Sequence, residues 1–270
     1  MKLTRLNINC RNQVFCALLF MVVAMACGPS DEEKARLKMQ QAQAHLQKSD
    51  TLSALLHLDS IPLLFPKAVY TINAAKNLAS DIQFDLLYRK EVELDSLKVK
   101  IQELEKPFTK EKTEYDRYAR YIHTRQNFER SWDRSFIQVQ LDERGELFMI
   151  SNYYGEKWLN HHSIRVYDKD LDAKTEVVPV GNPDNHRSDF MEKKWEKVSF
   201  RNGKDNGVME FIAQHDNRNL KAVFIGDEYY YIVLETYDKQ AVKDALALSR
   251  ALQQKIRLEL EVSALKNNKK

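Results

Sequence analysis

The sequence predicts an α+β protein with a long N-terminal helical and coiled-coil arm, an antiparallel β module of about seven to eight strands, and a C-terminal helix. Three observations carry that prediction. Leu87, Leu94 and Ile101 recur every seven residues, with Leu97 and Leu104 in the second seam position and mostly Lys, Glu, Asp and Gln between them; this is a heptad pattern. At Phe136 the apolar period changes from helical to alternating, in "FIQVQLDERGELFMISNYYG", with Asp142-Glu143-Arg144-Gly145 as the turn. From Gln240 the spacing becomes helical again, with Val242, Ala245, Leu252 and Ile256 on one face.

The chain opens with a secretion signal. Lys2, Arg5 and Arg11 precede an apolar run of 13 residues, Val14 to Ala26, and no acid occurs before Asp31. That run fits an h-region and falls short of the roughly 20 residues a spanning helix needs. Cleavage there gives four segments: a signal peptide at 1–26, a helical hairpin and coiled-coil arm at 27–135, the β module at 136–238, and the terminal helix at 239–270. Three of the 42 basic side chains leave with the signal, so 39 remain against 39 acids. A mature chain of zero formal charge gives no electrostatic footprint for nucleic acid. Of Cys10, Cys16 and Cys27, only Cys27 survives processing, which excludes an internal disulfide.

Ala24-Met25-Ala26-Cys27-Gly28 resembles a bacterial lipobox, with Ala24 where leucine is usual. The resemblance implies that Cys27 is acylated and tethers the protein to a membrane, since two or three acyl chains at roughly 0.8 kcal/mol per buried CH₂ anchor stably. The same tripeptide is also an A-x-A site for ordinary signal peptidase. Ser30-Asp31-Glu32-Glu33 is similar to the acidic export signal of Bacteroidota surface lipoproteins, and implies the outer face of the outer membrane. It reads equally as a helix cap followed by an acidic first turn.

A helix is expected from Glu32 to about Lys48, and a second from Ser49-Asp50 to near Pro62 and Pro66, together an ordinary helical hairpin. The long helix should run from about Lys67 to Lys106, on the order of 60 Å, with the C-terminal helix folding back along it. Beyond Pro107, Tyr115, Tyr118, Ile122, Phe128 and Trp132 continue a helix-spaced stripe. After the first hairpin, strands are expected at Ser163–Tyr167, Thr175–Val180, Lys197–Arg201, Val208–Gln214, Leu220–Ile225 and Tyr229–Thr236. "QLDERGELFMISNYYG", "NHHSIRVYDKD", "WEKVSFRNGKDNGVMEFIA" and "YYYIVLETYDKQAVKDALALSRAL" resemble a family of uncharacterised Bacteroidota lipoproteins with a coiled-coil arm and a β module. The resemblance implies lineage, anchoring and layout, and supplies no catalytic residues.

Motifs for catalysis are absent from the sequence. There is no glycine-rich phosphate loop, G-x-S-x-G or H-E-x-x-H. No cofactor, metal site or enzymatic activity is expected. His161-His162, His186 and His215 fall in the β module, but their spacing matches no ligand motif. Tyr153-Tyr154, Trp158, Trp195 and Tyr229-Tyr230-Tyr231 suit stacking on sugars or partner side chains, with alternation sending Tyr229 and Tyr231 to one face. Asp50-Thr51-Leu52, Asp59-Ser60-Ile61 and Asp95-Ser96-Leu97 resemble the D-[ST]-aliphatic sequon of periplasmic O-glycosylation, with Thr51 and Ser60 expected to react more readily than Ser96. The functional expectation is a non-enzymatic, outer-membrane-anchored lipoprotein that is a structural or protein-binding envelope component, associating through its helical arm. The alternative is a surface glycan-binding lipoprotein of a nutrient-uptake system.

Overall fold

The computed structural model describes residues 29–127, 129 and 132–267; the signal segment 1–26, Cys27 and Phe128 lie outside them. The fold is mixed α+β, with antiparallel strands in two sheets between N-terminal helices and a C-terminal helix. The chain divides into a first unit ending at Arg89 and a second beginning at Lys90.

In the first unit, α1 (Asp31–Gln47) and α2 (Thr51–Leu64) form a hairpin, followed by the start of α3 (Val69–Glu105). Ser30 and Glu33 make a reciprocal capping box at the start of α1. Asp50 caps α2 by accepting the Ser53 N–H at 3.1 Å. Helix α2 continues through Pro62 and ends at Leu64, between the two prolines expected to stop it. A proline forfeits one backbone bond, and the Phe65 N–H still closes the last turn on the Ile61 carbonyl at 2.9 Å. The core here is built from Ala35, Ala42, Ala68 and Ala75 around Leu58 and Ile61. So many alanines let the helices approach closely, and the larger Leu52, Leu56 and Leu63 stay exposed.

The second unit contains β1 (Phe108–Glu111), β2 (Arg120–His123), a 3-10 turn (Thr124–Gln126), β3 (Phe136–Asp142) and β4 (Leu147–Gly155). There follow β5 (Ser163–Asp168), β6 (Leu171–Lys174), β7 (Asn185–Phe190) and β8 (Lys193–Phe200). Helix α4 (Val208–Gln214), β9 (Lys221–Ile225), β10 (Tyr229–Val233) and α5 (Thr236–Asn267) complete it. One sheet runs β1-β2-β3-β4-β8-β7 and the other β10-β9-β5-β6. Their inner faces meet in one core, where Ile137, Val139 and Leu141 of β3 pack with Ile164 and Val166 of β5, Phe224 of β9 and the apolar side of α5.

Three expectations are corrected. Val208–Gln214 is helical: Gly207 turns the chain in the left-handed region, and Val208, Met209 and Ile212 then bury together at helical spacing. Thr175–Val180 is extended but belongs to neither sheet. Thr175 and Val178 each donate one bond to the β5 side, and Pro179 has no N–H to continue a ladder. The aromatic stripe after Pro107 is no helix. Tyr115 and Tyr118 lie in the β1–β2 connection, Ile122 is in β2 and Trp132 is in a turn, and β structure begins at Phe108 and not at Phe136. Strands β6 and β7 were not legible, being rich in charged and polar residues.

The heptad seam has its partner within the chain. Leu94, Leu97 and Ile101 join the same core as Leu258 of α5, and Lys90–Glu261, Glu91–Lys266 and Glu93–Gln254 pair in opposite chain directions. Helix α5 therefore lies antiparallel to this part of α3. Ile256, expected on the apolar face, is partly exposed.

Gly145 fixes the β3–β4 turn against α5. Its φ is +77°, and an added Cβ would sit 2.7 Å from the Ser249 carbonyl oxygen. The Gly145 carbonyl in turn accepts the Ser249 hydroxyl at 2.6 Å and the Gln253 amide at 2.9 Å. Gly145→Ala should cost about 1–3 kcal/mol and lower the thermal midpoint. An unchanged melting curve would refute the close approach.

Candidate functional site

Residue alternation gives the six-stranded sheet two unlike faces. Ile137, Val139 and Leu141 point into the core, so Phe136, Gln138 and Gln140 point the other way. Register carries that face across the sheet. Phe136 lies opposite Asn152, which lies opposite Lys197, and Lys197 lies opposite His186. These residues, with Ile122, Trp132, Arg134, Phe190 and Trp195, line a groove of about 720 Å³.

The groove floor is polar and deep. Gln138 and Gln140 are 7% and 5% exposed. The Gln140 amide donates to the Gln138 side-chain oxygen at 3.3 Å, and Gln138 donates to the Gln126 carbonyl at 2.9 Å. Gln126 stands in for a missing strand. The β2–β3 ladder stops at Gln140, and beyond it the Gln126 side chain donates to the Ile137 carbonyl at 2.8 Å and accepts the Val139 N–H at 3.1 Å. A side-chain amide has the same donor–acceptor pair as a peptide unit, so it continues the sheet without a strand.

One wall is locked to α5. Asp238, in the first turn of α5 and 3% exposed, takes both terminal nitrogens of Arg134 at 2.9 and 3.1 Å and the Gln126 amide at 2.8 Å. The Arg134 guanidinium lies over the Phe136 and Tyr237 rings, 4.3 and 5.1 Å from their centroids. Nearby, Trp195 tilts against Tyr154 with centroids 5.1 Å apart, and its indole N–H donates to the Trp132 carbonyl at 2.9 Å. The aromatic planes are therefore fixed before any ligand arrives.

Lys197 and Arg187 bring cations to the groove lining, which also includes Glu111. The charges acting on Lys197 are those of Arg120 and Arg201, both repulsive; lost hydration, then these neighbours, push its ammonium pKa below the ordinary value. Arg120 and Arg201 each have a carboxylate, Asp116 at 3.1 Å and Asp184 at 3.2 Å.

A second cluster lies on the core side. The Ser151 hydroxyl meets His161 Nε2 at 2.8 Å, and His161 Nδ1 meets Glu196 at 2.7 Å. That connectivity is a serine–histidine–carboxylate relay, but Ser151 and His161 are 0% exposed and Glu196 is 1% exposed. A sealed hydroxyl cannot meet a substrate, so the cluster is structural. Glu196 also accepts the backbone N–H groups of Leu159, Asn160 and His161 at 2.6, 2.7 and 2.8 Å. Burial alone would raise its pKa; the bonds from His161 and Asn160 outweigh that and hold it below the ordinary glutamate value.

The other residues singled out from sequence are scattered. His186 faces the groove, whereas His215 contacts Phe211 on α4. No group of three or more His, Cys, Asp or Glu among the described residues is placed to hold a metal ion. Tyr230 packs on Tyr153 and Phe224, and Tyr229 and Tyr231 are exposed, as alternation requires. In the acidic stretch, Ser30 and Glu33 form the α1 cap and Glu32 accepts the Thr71 N–H and hydroxyl at 3.0 and 2.6 Å. Asp31 is half-buried in the same turn. Thr51 and Ser60 are half-buried, and the Ser60 hydroxyl donates to the His57 carbonyl at 2.7 Å; Ser96 is exposed. Among the described residues no helix is long and apolar enough to cross a membrane.

Glu196→Gln should destabilise the fold by about 2–4 kcal/mol, because it replaces a charged acceptor of four N–H donors. The lowered pKa also sets a sign. Stability from Glu196 is full above the unfolded glutamate value and is lost as pH falls through the folded one. Thermal midpoints from pH 7 to pH 3 should therefore fall less steeply in the variant, and parallel curves would refute the assignment.

Comparison with protein-family models, curated proteins and solved structures gave no match for this chain.

Proposed function

We propose that this chain is a non-enzymatic binding lipoprotein, anchored in the outer membrane by acylated Cys27 and facing the cell surface, and that the groove takes up a saccharide. The observation that carries this reading is the groove face itself. It combines aromatic planes held at Trp195 and Phe136, with the exposed Trp132 ring beside them, and the amides of Gln138, Gln140 and Asn152. A sugar presents an apolar C–H face and a rim of hydroxyls. Aromatic planes fit the first, and amides, which both donate and accept, fit the second. The volume is that of a small-ligand site. Among the expected roles, glycan binding is thus better supported than association through the heptads, since Leu94, Leu97 and Ile101 are already used within the second unit. A protein-docking role has support in the exposed Leu52, Leu56 and Leu63 of α2, which share one helical face.

Calorimetric titration with a panel of oligosaccharides should show binding that Trp195→Ala weakens about tenfold by removing one stacking plane. No binding across the panel, with a dimer in light scattering that Leu56→Glu dissolves, would favour docking instead. For the address, Cys27→Ala should abolish palmitate labelling and release the protein from the membrane fraction. Wild-type protein should be digested by protease added to intact cells. Protection until lysis would overturn the surface assignment.

A further inference from the structure

The two ends of the first unit are unlike. At one end, α1 passes to α2 through Gln47-Lys48-Ser49-Asp50, which is polar throughout. At the other, α2 passes to α3 through Leu63-Leu64-Phe65-Pro66-Lys67-Ala68-Val69-Tyr70, in which Lys67 is the one charge. Phe65 and Ala68 turn inward onto the alanine core. Leu63 and Tyr70 are 82% and 85% exposed, and Leu64 and Val69 are 57% and 60% exposed. Connections that meet water are ordinarily polar. Single exposed apolar side chains need no explanation, but four on one turn form a patch.

The same end carries the start of α1. Glu32 accepts both the N–H and the hydroxyl of Thr71, which sets the first turn of α1 beside the first turn of α3. The acids of that turn are engaged within the fold, Glu32 with Thr71 and Glu33 with the Ser30 N–H, and Asp31 is half-buried. Cys27 stands three residues before Ser30. Three residues reach at most about 10 Å, whereas α1, with 17 residues, is on the order of 25 Å long. A membrane that holds Cys27 therefore lies nearer the apolar end than the polar one.

We propose that this end of the first unit is a membrane foot, with Leu63, Leu64, Val69 and Tyr70 entering the bilayer interface beside the acylated Cys27. The aliphatic side chains fit the acyl boundary. Tyr70 fits the headgroup level, where its ring is covered and its hydroxyl stays wet, and the Lys67 stem can lie along apolar surface with its ammonium in water. Interfacial elements bury their apolar side by about 5–10 Å. Leu56, seven residues before Leu63 on α2, stands about 10 Å higher and marks the limit of insertion. Acyl chains alone hold the protein to the membrane at any tilt, and the foot fixes which end of the unit meets it. This inference rests on the anchoring of Cys27 proposed above and adds a second, non-covalent contact with lipid.

The acylated protein would be reconstituted into phosphatidylcholine vesicles carrying nitroxide on the acyl chains, with a fluorophore on Leu63→Cys or, at the polar end, on Gln47→Cys. Cys10 and Cys16 leave with the signal and Cys27 is blocked, so the label has one thiol to find. The lipid nitroxide should quench the label at position 63 and spare the label at position 47. In non-acylated Cys27→Ala protein, Leu63→Ser should lower partition into the same vesicles about tenfold, with an unchanged thermal midpoint. Equally weak quenching at both positions, in acylated protein that floats with the vesicles, would overturn the foot and leave the anchor standing. A label at position 63 that is shielded from water yet not quenched would place a protein partner there and overturn the lipid assignment. A chain that carries no acyl group and does not float would overturn both.

Discussion

A buried carboxylate that gathers four N–H donors joins the two sheets of the second unit. Glu196 belongs to β8 of the six-stranded sheet, and the backbone it holds, Leu159 to His161, leads into β5 of the four-stranded one. Three successive amides converging on one acceptor leave that segment little freedom. A lone buried charge is costly, and only full hydrogen-bond satisfaction makes it tolerable. Here the satisfaction is local and rigid, so the chain crosses between sheets at a fixed place. Ser151 completes the arrangement by occupying the remaining nitrogen of His161.

With the sheets clasped at that point, the two faces of the larger sheet are covered differently. Helix α5 and β5 bury the side that carries Ile137, Val139 and Leu141. The opposite side must then be soluble, sealed by something else, or reserved for a ligand. Its composition fits the last. Gln138 and Gln140 are nearly buried, and long amides in that setting are held by a hydrogen-bond chain that an apolar cover would not need. The Asp238 clamp on Arg134 and Gln126 links this face to the start of α5. Rigid walls lower the entropy lost on binding.

Much of the fold was legible in the sequence, and the candidate site was much less so. Heptads, the Asp142–Gly145 turn and the terminal helix were readable because each is a periodic or local signal. Val208–Gln214 was misread because "VMEFIAQ" satisfies alternation and helical spacing alike, and Gly207 and the core beneath decide between them. The stripe from Tyr115 to Trp132 failed differently. Its spacing looked helical, but α3 stops before Pro107, the Thr124 N–H closes back on the Pro107 carbonyl at 2.9 Å, and the chain between them forms the β1–β2 pair and its connection. Trp195 was noticed in the sequence for its aromatic ring. Gln138, Asn152 and Lys197 were not, because alternate polar residues in a strand ordinarily mean solvent. Only the register that aligns β3, β4, β8 and β7 shows that they share one concave face.

Acids and bases nearly balance in this sequence, 39 Asp and Glu against 42 Lys and Arg, and many of the acids near the groove are engaged within the fold. Carboxylates close to the basic side chains are spent on structure: Asp238 on Arg134, Asp184 on Arg201, Asp116 on Arg120, and Glu196 on the backbone of the crossover. Each such pairing fixes a wall or a turn and removes an acceptor from circulation. Lys197 has no ion pair among the described residues, and the neighbouring Arg120 and Arg201 are each held by a carboxylate. Local charge in this fold is thus a by-product of how its acids are used to hold it together.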